Sequence, residues 1–101
     1  MGNPDKNMKN YVKEPNQIKK LLKKAFKQKN SIKIKYYSLL SDEVKYRIVD
    51  IYQLQSDCII AYCHLRKRER AFVIDRIIQA RLFDEEYKIP NGWSPESIIL
   101  K

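Results

Sequence analysis

The sequence is poor in the residues that build most catalytic and cofactor sites. Of its 101 residues only 2 are Gly, 2 are Cys and 1 is His. So few glycines leave no room for the glycine-rich loops that bind nucleotide phosphates. Cys58 and Cys63 stand an odd number of positions apart, which in a strand places their side chains on opposite faces. We therefore expect two reduced thiols and no disulfide.

No catalytic or metal-binding constellation is apparent in the pattern. His64 directly follows Cys63, so the two side chains diverge if they lie on a strand. Together with Cys58 they lack the spacing of a zinc knuckle or finger. The carboxylates that a magnesium site would need are scattered along the chain, at Asp42, Asp50 and Asp75. We expect a non-enzymatic protein that uses neither a metal nor a cofactor.

Long apolar runs are also missing. The uninterrupted apolar stretches are only a few residues long, too short for a helix that spans a membrane. The first thirty residues are polar and rich in lysine, which does not match a secretory signal. With reduced thiols, this pattern predicts a cytoplasmic protein.

Positive charge is abundant. Lys and Arg number 21 against 12 Asp and Glu, which gives a formal net charge of +9. Such a surface attracts polyanions, and nucleic acid is the partner that we expect first. The alternative is that the charge serves only solubility and that the domain is a protein-interaction or dimerisation module on a larger effector.

The chain begins with a polar stretch and an amphipathic helix. Residues 1–14 have no apolar periodicity and are predicted to form a flexible leader. From Pro15 to about residue 29, apolar residues recur at spacings of three and four, which indicates a helix packed through Ile18, Leu22 and Phe26. The opposite face is basic, and we expect non-specific phosphate contacts from Lys20, Lys23, Lys24 and Lys27.

Strand periodicity follows the helix. Alternation of apolar and polar residues predicts strands at 32–37, 44–54, 58–65, 70–75 and 77–83, and Asp84 to Glu86 are expected in a solvated turn. Five short strands favour a small, partly open, five-stranded antiparallel β-barrel with one N-terminal helix. The folded domain is predicted over residues 15–88, followed by a C-terminal tail at 89–101.

The densest chemistry lies in the predicted hairpin between the third and fourth strands. A turn centred on Lys67 places six side chains on one face: Ile60, Tyr62, His64, Arg70, Phe72 and Ile74. Arg76 would extend the basic row. Cations beside aromatic rings are typical of a surface that binds single-stranded nucleic acid. The alternative is that Tyr62 and Phe72 belong to the core and that the arginines form a solvated rim.

This stretch also resembles a known family. The run from Ile59 to Arg66, followed by Arg70-Ala71-Phe72-Val73-Ile74-Asp75-Arg76-Ile77, looks like the WYL domain. Ile32 to Ser38 and Arg47-Ile48-Val49 resemble the first and second strands of that family, and the resemblance covers roughly residues 16–87. Two features of the family pattern differ: Asp57-Cys58-Ile59 replaces the Trp-Tyr-Leu run, and Ile51 replaces a proline.

The resemblance implies an Sm-like β-barrel that acts in a regulator and binds nucleic acid or a nucleotide-like ligand. Such domains usually follow a DNA-binding helix-turn-helix in bacterial regulators, for which the leader and one helix are too short. Carried over to this sequence, the basic patch of the family would comprise Ser38, His64, Arg66, Arg70 and Arg76, with Tyr36 and Phe72 as neighbouring aromatics. Tyr62 is added to this set from the predicted hairpin face.

Overall fold

The computed structural model describes residues 10–95, which form one helix and five strands. Helix α1 comprises Pro15–Gln28. The strands are β1 (Asn30–Ser38), β2 (Glu43–Leu54), β3 (Cys58–Cys63), β4 (Arg68–Val73) and β5 (Ile77–Glu86). A 3₁₀ turn at Ile74–Arg76 joins β4 to β5. The predicted helix and the existence of five strands are confirmed, but three boundaries differ. His64 and Leu65 lie in a turn, Ile74 and Asp75 lie in the 3₁₀ turn, and Asp84 to Glu86 lie in β5.

Helix α1 begins and ends where its local sequence favours an end. Pro15 occupies the first turn, where a missing backbone N–H is tolerated. Lys29 ends the helix in a left-handed conformation, with φ of 57°, and its N–H bonds to the carbonyl of Phe26. Leu22 and Ala25 are fully buried, whereas Phe26 is only half-buried against the core. The four lysines singled out above are all exposed.

The strands form one antiparallel sheet in the order β4-β3-β2-β1-β5. Alternate side chains of each strand face the helix and build the core. In β1 these are Ile32, Ile34 and Tyr36, and in β2 they include Val49 and Ile51. This core face is covered by α1, which contacts β1, β2 and β5. The opposite face of the sheet is here called the outer face.

The sheet is open. Within residues 10–95 the strands β4 and β5 lie at opposite edges, and no ladder of hydrogen bonds joins them. The prediction of a five-stranded antiparallel sheet with one helix is confirmed, but a closed barrel is not found. The 3₁₀ turn connects the two edge strands, β4 and β5. The N–H of Val73, at the end of β4, donates to Tyr36 Oη of β1 at 2.9 Å.

The predicted register of the β3–β4 hairpin is wrong. Arg70 pairs with Ala61 and not with His64, and Phe72 pairs with Ile59 and not with Tyr62. Lys67 adopts a left-handed conformation, with φ of 58°, and ends a four-residue turn, so β4 begins at Arg68. The shift is three residues, and an odd shift moves every side chain of β4 to the opposite face. Arg70 and Phe72 therefore lie on the core face, whereas Tyr62 and His64 lie on the outer face.

The segments on either side of the predicted domain contact the sheet. Val12, in the predicted leader, exchanges two backbone hydrogen bonds with Ala80 of β5. Trp93, in the predicted tail, packs its ring 5.2 Å from that of Tyr52. Residues 1–9 of the leader and 96–101 of the tail lie outside the described residues. Among residues 10–95 no helix is both long enough and apolar enough to cross a membrane.

Candidate anion-binding site

A buried arginine lies on the core face of β2. Arg47 is only 2% exposed, in phase with the apolar residues Val49 and Ile51. Its Nη1 lies 3.7 Å from Cys63 Sγ, and its Nε has no hydrogen-bond partner among the described residues. No carboxylate in that part of the chain forms an ion pair with it. A buried charge without a counter-charge is costly, and an incoming anion would offset that cost.

Three arginines, Arg47 among them, lie close enough to Arg70 for their charges to act on it. Together they form the arginine cluster, which consists of Arg47, Arg66, Arg68 and Arg70. Burial lowers the pKa of Arg70, and the positive charges of Arg47, Arg66 and Arg68 act in the same direction. Arg70 is half-buried, whereas Arg66 and Arg68 are exposed at the β3–β4 turn. Three of the four guanidinium groups are thus at least partly open to solvent, and that of Arg47 is buried.

Two aromatic rings pack next to Arg70 of this cluster. Tyr36 and Phe72 meet edge to face, with ring centroids 4.9 Å apart. The guanidinium carbon of Arg70 lies 5.5 Å from the Phe72 centroid. Phe72 is fully buried, so its ring holds Arg70 in place and offers no exposed surface on which a base could stack. The expectation that Phe72 stacks on a ligand is therefore not supported by its position.

His64 takes part in a different network, on the outer face. Its Nε2 lies 3.0 Å from Oδ2 of Asp50, and Ser31 Oγ donates to Oδ1 of the same carboxylate at 2.5 Å. The Tyr62 ring stands at 75° to the imidazole, at 5.5 Å. His64 and Tyr62 are thus separated from the arginine cluster by the sheet itself. The residues that were expected on one face lie on two.

Two further predicted residues, Ser38 and Arg76, belong to other elements than the four arginines. Ser38 is buried at the end of β1, on the core face. Arg76 lies in the 3₁₀ turn, and its positive charge acts on the pKa of Tyr37. A hydrogen bond to Asp42 raises the pKa of Tyr37, and Arg76 opposes that shift. Arg76 is not among the cations that act on Arg70.

The sequence prediction omitted Arg47 from the site. A signal was present, because Arg47 follows the same alternation as Val49 and Ile51 and so occupies a core position of β2. A charged residue in phase with buried neighbours is unusual enough to mark a candidate site.

The structure is a small antiparallel sheet covered by one helix, with the arginine cluster on the side of Arg70. A family model described as "WYL domain" matches residues 17–82, which is more than half of the chain. The chain belongs to the WYL domain family.

A solved structure shares the fold. The Proteasome accessory factor B/C (PafBC) of Arthrobacter aurescens superimposes with a TM-score of 0.74 and 16% sequence identity. The match covers 89% of this chain but only 15% of the PafBC chain, so the chain corresponds to a small part of that protein. No curated protein sequence matches the chain.

Proposed function

We propose that this WYL domain is a non-catalytic regulatory module that binds single-stranded nucleic acid or a nucleotide-like anion at the arginine cluster. Arg47 carries the proposal, because it is a buried guanidinium whose charge meets no carboxylate among the described residues. Membership of the WYL family and the likeness to PafBC, a proteasome accessory factor by name, support a role in a regulator.

The geometry favours phosphate as the group that is bound. Arg70 and the exposed Arg66 and Arg68 offer planar donors, which pair with two phosphate oxygens at once. Arg47 raises the positive potential from below, in a poorly hydrated position where a charge acts more strongly than in water. The buried ring of Phe72 fixes Arg70, so little side-chain entropy is lost on binding.

Fluorescence anisotropy with a short labelled oligothymidylate tests the proposal, with nucleoside monophosphates as competitors. Arg70→Gln is expected to weaken binding about tenfold or more, because a charge-assisted contact contributes roughly 1.5–3 kcal/mol. Arg70→Lys keeps the charge but loses the planar fork, and intermediate affinity is expected. Lys88→Gln removes one exposed charge elsewhere and serves as the matched control.

The Arg76→Gln variant tests whether Arg76, which the family resemblance assigned to the basic patch, contributes to binding. Because Arg76 lies outside the arginine cluster, we expect a smaller loss than for Arg70→Gln. An equal loss would add Arg76 to the site. Unchanged affinity in Arg70→Gln, at an unchanged melting temperature, would remove the arginine cluster as the binding site.

Exposed leucines favour the second candidate function, docking on another protein. Leu40 in the β1–β2 turn is 97% exposed, and Leu39 and Leu65 are each 54% exposed. Leu39→Ser with Leu40→Ser would weaken self-association or docking if these turns form an interface. Sedimentation velocity of the parent and of this variant measures the self-association, and a monomeric parent would leave only docking on a different protein.

A further inference from the structure

A second group of cations and rings lies on the outer face of the sheet, away from the arginine cluster. It is here called the outer patch and consists of Tyr11, Lys33, Lys35, Tyr46 and Arg81. Lys33 and Lys35 alternate along β1 with side chains buried in the core, so both point outwards. Arg81 of β5 is the cross-strand partner of Lys33, and Tyr46 of β2 is that of Lys35.

The cations of the outer patch are not neutralised by their neighbours. Lys33 lies directly opposite Arg81, and like charges in such a pair destabilise a sheet. On β2, the cross-strand partner of Lys33 is Ile48, which carries no charge. Among residues 10–95 no carboxylate lies within ion-pair distance of Lys33, Lys35 or Arg81. The patch therefore has an uncompensated positive charge.

Two tyrosine rings lie among these cations. Tyr11 and Tyr46 have ring centroids 5.6 Å apart, and Tyr46 remains 46% exposed. The Nζ atoms of Lys33 and Lys35 lie 5.4 Å and 5.7 Å from the Tyr46 centroid. The guanidinium of Arg81 lies 5.4 Å from the Tyr11 centroid. Cations and ring faces are thus presented side by side, with flexible lysines that can turn from ring to ligand.

We propose that the outer patch is a second binding site for single-stranded nucleic acid. Lys33, Lys35 and Arg81 contact successive phosphates, and one base stacks on the exposed ring of Tyr46 with Tyr11 beside it. Charge complementarity selects a polyanion, and the tyrosine pair selects one that carries flat bases over an acidic protein. The arginine cluster is on the opposite face, so this site does not depend on the function proposed above.

The test uses the complete chain in an Arg70→Gln background, so that binding at the arginine cluster is weakened. Lys33→Gln with Arg81→Gln is titrated with labelled oligothymidylate at several salt concentrations. Each lost phosphate contact should flatten the slope of log K against log salt by about 0.7, so a change of about 1.4 is expected. Affinity at about 0.1 M salt should fall roughly 10- to 30-fold. Lys19→Gln with Lys88→Gln removes the same charge from other exposed positions.

Base stacking is tested separately at Tyr46. Tyr46→Ala should weaken binding of the oligothymidylate about 5-fold or more and leave an abasic oligonucleotide of equal length unaffected. Tyr46→Phe retains the ring and should bind as the parent does. The melting temperature of the Lys33→Gln/Arg81→Gln variant should stay level or rise, because a like-charge pair is removed.

Three results would overturn the proposal. One is equal weakening by the Lys19→Gln/Lys88→Gln control, which would show a dependence on net charge alone. Another is an equal effect of Tyr46→Ala on the abasic oligonucleotide. The third is an Arg70→Gln background that no longer binds oligonucleotide at all, which would leave the arginine cluster as the site and remove the outer patch.

Discussion

His64 Nε2 lies 3.0 Å from Asp50 Oδ2, on the face of the sheet opposite to Arg70. The Asp50 carboxylate is 11% exposed and also accepts from the buried hydroxyl of Ser31. It therefore links β1, β2 and the start of the β3–β4 turn. This arrangement makes His64 a residue that holds the hairpin, on a different surface from the arginine cluster.

Removal of the Asp50 carboxylate should destabilise the fold. Asp50→Ala leaves the Ser31 hydroxyl and the imidazole without their acceptor, and we expect a loss of about 2–3 kcal/mol in the free energy of unfolding. His64→Gln should cost less, about 1 kcal/mol, because the imidazole is 39% exposed and can bond to water. Urea denaturation measures both losses. A large loss of oligonucleotide affinity in a stable His64→Gln variant would instead assign His64 to the ligand site.

Replacement of Arg47 should raise the stability of the fold and weaken binding of the ligand. Arg47→Met keeps an unbranched side chain of similar length and removes a buried, unpaired donor, so the free energy of unfolding should rise by about 1–3 kcal/mol. Binding of the oligothymidylate should weaken, since the potential beneath Arg70 is lost. Thermal unfolding and anisotropy are measured on the same sample. A less stable variant would show that Arg47 is needed mainly for packing.

The core contacts of α1 can be compared at two adjacent leucines. Leu22 is fully buried and Leu21 only half-buried. Leu22→Ala should therefore cost about 2–5 kcal/mol and Leu21→Ala clearly less. Phe26→Ala should also fall below the 3 kcal/mol or more typical of a fully buried ring, because Phe26 is half-buried. Equal effects at both leucines would mean that α1 is not docked through this stripe.

Tyr87 should make stability fall at alkaline pH. Burial raises the pKa of Tyr87 above its ordinary value of 10.0, and the nearby charge of Asp50 adds to the shift. Its hydroxyl donates to the carbonyl of Ile51. Because the folded pKa exceeds the unfolded one, this contribution is fully present below pH 10 and is lost as pH rises through the folded value. Tyr87→Phe should unfold with a shallower pH dependence there, as measured by urea denaturation.

The helix lysines should contribute affinity without sequence preference. Lys20, Lys23, Lys24 and Lys27 are exposed, and their replacement by Gln should flatten the salt slope by about 0.7 for each phosphate contact that is lost. Oligonucleotides of different sequence should be affected alike. A changed order of preference among them would show that α1 reads bases.

Much of the fold was predictable from local patterns. The three- and four-residue spacing of Ile18, Leu22 and Ala25 defined one buried helix face, and alternation in β1 and β2 defined the two faces of those strands. Both patterns depend on the backbone period, which each short segment carries by itself. The family was likewise visible in the run from Arg70 to Ile77, and the family model matches it.

The sequence by itself thus determined the elements, the family and the excess of positive charge. Only the tertiary structure decided which side chains share a face. The left-handed Lys67 shifts β4 by three residues and moves Arg70 away from His64, and Arg47 of β2 is brought close enough for its charge to act on Arg70. Side-chain period is local, but strand register depends on turn conformation and on contacts between distant segments, which alternation alone does not specify.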